Sequence, residues 1–161
     1  MDMSSYKKLA DRLNALPNGF PSTDDGRELK LLAKIFTPEQ AELAGQLTPN
    51  LETVEEVAAR TGKNAADLRN QLKGMSRSGL IEAGKKDGKL GFKLMPFVVG
   101  IYEMQVDRLT REVQDDFEAY ANEAFKGAFL GQRTGQTLQQ LVDRFRLVAK
   151  QHLVRRHAAR A

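Results

Sequence analysis

Five side chains that could contact nucleic acid lie on one face of a helix predicted near the middle of the chain. The set comprises Arg69, Asn70, Lys73, Ser76 and Arg77. Because Leu68, Leu72 and Met75 recur at i, i+4 and i+7 and must face a core, the polar set faces outward. Arginine and asparagine can read base edges in the major groove, and lysine can hold phosphates. The residue types and their spacing therefore predict contact with double-stranded DNA.

Further polar side chains lie on both sides of this helix. Lys63 and Asn64 precede it, and Lys85, Lys86 and Lys89 follow it. The short residues after Asn64 would let backbone amides approach a phosphate. The three later lysines would lie against the DNA backbone or an adjacent minor groove. An alternative for the whole set is ordinary solvated charge, which is common on exposed helix faces.

Capping signals predict three consecutive helices around these residues. Thr37 with Gln40, and Thr53 with Glu56, have the spacing of capping boxes, in which side chain and backbone satisfy each other at a helix start. Asn64 is a typical N-cap residue for the third helix. The predicted helices span residues 38–47, 54–60 and 65–78.

A β-hairpin is predicted directly after the third helix. Gly79 ends the helix, and short strands over residues 80–81 and 90–94 flank a turn at residues 84–88. The Asp-Gly pair in this turn is a strong hairpin signal. A helix-turn-helix followed by a basic hairpin is the layout of a winged helix. The predicted fold class is therefore mainly α, a winged helix-turn-helix with a short β-hairpin wing, flanked by N-terminal helices and a long C-terminal helical arm.

Positive charge concentrates in the same segment. Residues 60–93 carry nine basic and three acidic side chains, whereas residues 1–59 carry six basic and ten acidic ones. Residues 94–161 carry ten basic and eight acidic side chains. A local excess of this kind is the charge pattern expected of a protein that binds a polyanion.

Composition excludes several other classes of protein. The chain has no cysteine, so it can hold neither disulfides nor thiolate metal sites. Its most apolar stretch, residues 94–101, is far shorter than the roughly 20 residues that a membrane helix needs. No secretory signal is evident, so we expect a cytoplasmic protein without a membrane partner. His152 and His157 do not face one another on a helix, and we expect no metal, no cofactor and no catalytic site.

Apolar periodicity predicts helices on both sides of the winged helix. Helices are predicted over residues 5–16, 29–36, 98–126 and 137–157. The third of these carries a sustained apolar seam. Its residues include Tyr102, Val106, Leu109, Val113, Phe117 and Tyr120. Such a seam must bury against the N-terminal helices or a second copy of the chain, and we predict that it forms a homodimer.

Three domains follow from these elements. An N-terminal helical extension spans residues 1–36, the winged-helix domain residues 37–96, and a C-terminal dimerisation arm residues 97–161.

Three segments of the chain carry a resemblance to a known family. They are Leu16–Pro21, Glu28–Gln40 and Leu94–Glu103. In this order they resemble the N-terminal winged-helix region that precedes a ferredoxin-like [4Fe–4S] domain in many anaerobic microbes. The resemblance implies a winged-helix fold and a tie to redox metabolism, but the cluster-binding domain is absent here. More generally, the chain resembles bacterial winged-helix repressors of the multiple-antibiotic-resistance type, in which terminal helices form the dimer.

Two functions are consistent with the sequence. The leading hypothesis is a homodimeric, DNA-binding transcription regulator, with the third helix in the major groove and the basic hairpin on the backbone. The alternative is a winged-helix interaction module that docks onto a redox enzyme or ferredoxin-type partner. In that case the long helix over residues 98–126 would be the docking surface.

Overall fold

A computed structural model describes residues 2–105 and 107–124 of the chain. This part is mainly helical, with one small antiparallel sheet. The α-helices are α1 Ser4–Asn14, α2 Arg27–Ile35, α3 Pro38–Gly45, α4 Val54–Thr61, α5 Ala65–Arg77, α6 Tyr102–Gln105 and α7 Arg111–Ala124. The strands are β1 Glu52–Thr53, β2 Glu82–Lys86 and β3 Lys89–Lys93. The sheet order is β1-β3-β2.

The three central helices begin where their caps predict. At the start of α3, Gln40 donates its backbone N–H to Thr37 Oγ1 at 3.3 Å, and Thr37 donates to Gln40 Oε1 at 2.9 Å. The same reciprocal pair joins Thr53 and Glu56 at the start of α4, at 3.3 and 2.7 Å. Each capping box satisfies backbone donors that a helix start otherwise leaves unpaired. The predictions for α3, α4 and α5 are confirmed to within two residues.

The predicted hairpin is present, but its strands are shifted. Its turn is the two-residue pair Asp87-Gly88, with φ of 49° and 77°. Two consecutive positive φ values are those of a type I′ turn, which matches the twist of the flanking strands. The prediction of a first strand at residues 80–81 was wrong, because β2 begins at Glu82. Leu80 and Ile81 are instead buried in the core just before it.

The short strand β1 was not predicted. It pairs antiparallel with β3, with Glu52 opposite Phe92 and Thr53 opposite Gly91. It comes directly before α4, so it ties the start of that helix to the hairpin.

One hydrophobic core runs through the described part of the chain. Helix α1 contacts both α2 and α3, and α2 contacts α7. Tyr6 of α1 is buried and donates its hydroxyl to the Phe36 carbonyl at 3.1 Å. The N-terminal helices therefore share their interior with the central helices. Within the described ranges, no helix combines the length and apolarity needed to cross a membrane.

The single helix predicted over residues 98–126 was wrong. A π-helical turn at Phe97–Ile101 leads into α6, and helix α7 begins only at Arg111. The new helix has its own cap, because Thr110 Oγ1 accepts from the Val113 backbone N–H at 3.4 Å. A capping threonine inside an apolar seam interrupts the helix without disturbing the spacing of the apolar residues.

The apolar seam packs largely inside its own chain. Val113, Phe117 and Tyr120 are buried on the side of α7 that faces the core, and α7 contacts α2. The Tyr120 ring lies 5.0 Å from the ring of Phe20, and its hydroxyl donates to the Pro21 carbonyl at 3.0 Å. Burial raises the pKa of this phenol. These three side chains could join a dimer contact only by leaving the core.

The other seam residues have different positions. Tyr102 stacks on Phe117 with ring centroids 3.9 Å apart, and Leu109 is half-buried. Val106 lies outside the described residues, as do the predicted helix over 137–157 and both histidines. The homodimer stays a prediction.

Ion pairs fix α7 on α2. Lys34 of α2 contacts Glu112 at 2.6 Å and also Asp116. Near the other end of α7, Arg27 contacts Glu123 at 3.0 Å. The facing surfaces of α2 and α7 are therefore complementary in charge.

The C-terminal end of α5 rests on the segment around α6. Gln105 is buried, and its side-chain amide donates to the carbonyls of Ser78 at 2.8 Å and Gly79 at 3.2 Å. Arg108 also donates to the Ser78 carbonyl, at 3.3 Å. Gly79 has a φ of +73°, and a Cβ placed on it would lie 2.7 Å from Met104 Cβ. The last turn of α5 thus depends on residues about 25 positions downstream.

Candidate nucleic-acid interface

Helix α5 presents its polar residues much as the sequence predicts. Leu68, Leu72 and Met75 are buried. Arg69, Asn70 and Arg77 are exposed, whereas Lys73 and Ser76 are half-buried on its flanks. The helix therefore has one apolar face toward the core and one polar face toward solvent.

Two ion pairs place the hairpin next to α5. Arg69 of α5 contacts Glu55 at 2.8 Å, and Lys86 of β2 contacts Glu56 at 2.7 Å. Glu55 and Glu56 are neighbours in the first turn of α4. The start of α4 therefore lies between the polar side of α5 and the hairpin, and the two predicted contact elements meet there.

Five of the predicted contact residues are cations that make no ion pair with any described residue. They are Lys63, Lys73, Arg77, Lys85 and Lys89. One lies before α5, two on it and two on the hairpin. No carboxylate of the described residues would have to be displaced for these five to contact a phosphate.

The positive charge is weaker than the sequence count suggests. Arg60 pairs with Glu52 at 2.8 Å and also donates to the Gln46 carbonyl, so it serves the fold. Lys93 pairs with Glu82 at 3.3 Å. Glu52, Glu55 and Glu56 come before residue 60, so the charge count over residues 60–93 did not include them. Over residues 52–93 there are nine basic and six acidic side chains, a net charge of +3.

Asn64 has a different role from the one predicted. Its side-chain oxygen accepts from the backbone N–H groups of Ala66 at 2.9 Å and Asp67 at 3.2 Å. The first of these two amides belongs to Ala66, one of the short residues at which a phosphate was expected to approach the backbone. Because the cap already satisfies them, the start of α5 offers no ready anion site at these two groups.

A shallow groove of about 320 Å³ runs between α3 and α5. It is lined by Glu39, Gln40, Leu43, Asn70, Gln71, Gly74, Met75 and Ser78. Sequence reasoning identified only Asn70 of this set as a contact residue. The others could not be found in advance, because no local pattern says which helix lies beside α5.

Gly74 is an unexpected residue in the middle of α5. Glycine inside a helix is often explained by tight packing, but a Cβ on Gly74 would meet no described atom within 4 Å. Its position is exposed, on the side of the groove. The described part of the fold therefore gives no reason for the missing side chain.

Replacing Gly74 by Ala should stabilise the protein by about 1 kcal/mol, the difference in helix propensity between the two residues. For a chain of this length we expect the melting temperature to rise by roughly 2–4 °C. Thermal unfolding followed by circular dichroism measures the change. A lower melting temperature would contradict the open environment described above.

The carboxyl group of Glu56 titrates abnormally. The Lys86 ammonium and, next, the backbone N–H of Thr53 lower its pKa from 4.5 to about 2. The pKa of Lys86 is raised in turn, chiefly by the same carboxylate. An unfolded chain takes up this proton near pH 4.5 and the folded chain only near pH 2. The contact therefore contributes its full stability above pH 4.5 and loses it as the pH falls toward 2.

Replacing Lys86 by Gln should raise the pKa of Glu56 above 2, though not fully to 4.5, because the Thr53 amide still donates. Titration of the Glu56 carboxyl carbon by NMR measures the shift. Lys93→Gln is the matched control, since Lys93 lies on the same hairpin and pairs with Glu82 instead. If Glu56 kept a pKa of about 2 in Lys86→Gln, its contact with Lys86 would not be the main cause.

Metal ligands do not cluster in the region described. Among residues 2–105 and 107–124, histidine, cysteine, aspartate and glutamate form no group of three or more that could hold a metal ion.

Comparisons with known proteins give little further guidance. No family model and no curated protein matches the chain. A solved structure described as the crystal structure of a transcriptional regulator aligns with 96% of this chain and 95% of its own. Its sequence identity is 14% and its TM-score 0.39, too low to support an argument about fold or function. The resemblance to regions upstream of ferredoxin-like domains has no family match behind it and stays a prediction.

Proposed function

We propose that this chain is a DNA-binding transcription regulator of the winged-helix type. Helices α3, α4 and α5 are followed by the β2–β3 hairpin, and β1 completes the sheet. This is the element order of a helix-turn-helix with a wing. In the proposal α5 enters the major groove, and the hairpin lies on the phosphate backbone.

The observation that carries the proposal is a set of five cations that make no ion pair within residues 2–105 and 107–124. Lys73 and Arg77 lie on α5, Lys63 lies just before it, and Lys85 and Lys89 lie on the hairpin. Each can neutralise a phosphate and release its condensed counterion. A site for a polyanion requires surface cations whose charge is not already neutralised by carboxylates of the same protein.

The proposed regulator is a cytoplasmic homodimer without catalytic activity. Each copy of α5 would read one half of a palindromic DNA site. Val113, Phe117 and Tyr120 already serve the core of the single chain. The dimer contact in this proposal therefore lies elsewhere.

A binding titration at two salt concentrations tests the proposal. Labelled fragments of the source genome would be mixed with the full chain and followed by gel shift and fluorescence anisotropy. If the five cations of one protomer each neutralise one phosphate, log K per bound protomer should fall with log salt at a slope of about −4.5. Between about 50 and 200 mM salt the affinity per bound protomer would then drop roughly 500-fold. Absence of any complex at the lower salt would refute the proposal.

A module that docks onto a redox enzyme or ferredoxin-type partner is the second candidate. Glu55 and Glu56 favour it, because they put two carboxylates between α5 and the hairpin, where a phosphate would be repelled. A protein surface of mixed charge would complement this arrangement better than DNA would. Failure to bind any fragment at low salt would favour this candidate.

A further inference from the structure

Asn70 lies on the side of α5 that is turned away from the core. It is two residues from both Leu68 and Leu72, which are buried. At about 100° per residue, a separation of two places Asn70 roughly opposite each of them. The side chain is exposed, and its amide makes no hydrogen bond to any described residue. Both its donor and its acceptor are therefore available to a ligand.

The neighbours of Asn70 allow a ligand to come close. Ala66 lies one turn before it and Gly74 one turn after it, so neither presents more than a methyl group on the same row. Lys73 and Arg77 follow at three and seven residues, without ion pairs to the described residues. The Asn70 amide is thus accompanied by two cations that could contact phosphates beside it.

A side-chain amide on such a helix matches one base in particular. Its NH₂ and carbonyl pair with the N7 acceptor and N6 amino group of adenine, whereas arginine and lysine match guanine. We propose that Asn70 determines sequence specificity by selecting an A·T pair at one fixed position of the DNA site. This inference rests on the proposed function, because it assumes that α5 enters the major groove.

The experiment begins with selection of duplexes from a randomised pool by the full chain. The best duplex and its single A·T→G·C variants are then measured by anisotropy with three proteins. These are the unsubstituted chain, Asn70→Ala and Gln71→Ala. Gln71 is a matched control, because it carries the same amide about 100° nearer the buried face of α5. Melting temperatures show whether all three are folded.

The unsubstituted chain should prefer the best duplex at one position by about 5- to 150-fold. Asn70→Ala should bind the best duplex and its variant equally, to within about two-fold, and Gln71→Ala should keep the preference. Replacing the selected adenine by 7-deazaadenine should weaken binding by the unsubstituted chain but not by Asn70→Ala.

The outcomes separate the inference from the function beneath it. If no duplex binds at low salt, the proposed function fails. If duplexes bind and Asn70→Ala keeps the full preference, the role of Asn70 is refuted while DNA binding stands. Binding without any sequence preference refutes the role of Asn70 as well.

Discussion

The double variant Lys73→Gln, Arg77→Gln should bind duplex DNA roughly 60-fold more weakly, per bound protomer, than the unsubstituted chain at about 0.1 M salt. The reason is the loss of two phosphate contacts in each protomer, each of which contributes about 0.9 to the slope of log K against log salt. The slope per protomer should therefore become shallower by about 1.8. Anisotropy titrations over a salt series measure both quantities. The melting temperature should not fall, because neither side chain makes an ion pair to the described residues.

Two single variants serve as controls for this result. Lys30→Gln removes an exposed lysine from α2, outside the proposed interface, and should leave both affinity and slope unchanged. Arg69→Gln should reduce the affinity for DNA less than Lys73→Gln or Arg77→Gln would, because Arg69 is already paired with Glu55. If Lys30→Gln weakened binding as much as the double variant, the binding would reflect overall charge and not this surface.

Replacing Gly79 by Ala should destabilise the protein by about 2–5 kcal/mol. The left-handed conformation costs an alanine about 1–2 kcal/mol, and forcing a methyl group against Met104 costs about 1–3 kcal/mol more. The contact is severe because the added carbon would lie 2.7 Å from Met104 Cβ. We expect the melting temperature to fall by roughly 5–20 °C, as measured by thermal unfolding.

Gly62→Ala separates the two causes of this loss. Gly62 ends α4 with a φ of +69°, close to that of Gly79, but its added Cβ would meet no described atom within 4 Å. It should therefore lose only the conformational part, about 1–2 kcal/mol. Equal losses in the two variants would show that the contact with Met104 contributes nothing.

The central helices could be predicted because their signals are local. Thr37, Thr53 and Asn64 satisfy donors within three residues of themselves, so their roles are visible in the sequence. The same holds for the Asp87-Gly88 turn, whose positive φ values suit these residue types. Strand β1 was missed because two residues carry no periodicity, and their pairing with β3 depends on the tertiary fold.

The fate of the apolar seam could not be decided from its spacing. Phe117 and Tyr120 recur as they would in a coiled coil, and the pattern alone does not say which surface covers them. Phe20, which contacts Tyr120, comes from a segment about 100 residues earlier in the chain. The break before Arg111 was also hidden, because a single capping threonine leaves the apolar pattern intact.

The candidate interface was predictable in its residue types and not in its ion pairs. The outward position of Asn70 and Arg77 follows from the buried stripe of α5. The pairing of Arg69 with Glu55 and of Lys86 with Glu56 joins residues 14 and 30 positions apart. No sequence window reveals such pairs. Together with Glu52, which pairs with Arg60, the two glutamates lower the net charge from +6 over residues 60–93 to +3 over residues 52–93.

The hydrogen bonds from Gln105 to the end of α5 limit how short a stable fragment of this protein can be. A fragment cut at residue 96, the boundary expected from the sequence, would lose the amide that donates to the Ser78 and Gly79 carbonyls. It would lose the Arg108 guanidinium as well. The smallest autonomous unit that keeps the final turn of α5 intact must therefore extend at least to residue 108. A fragment limited to α3, α4, α5 and the hairpin would therefore have a frayed C-terminal turn of α5.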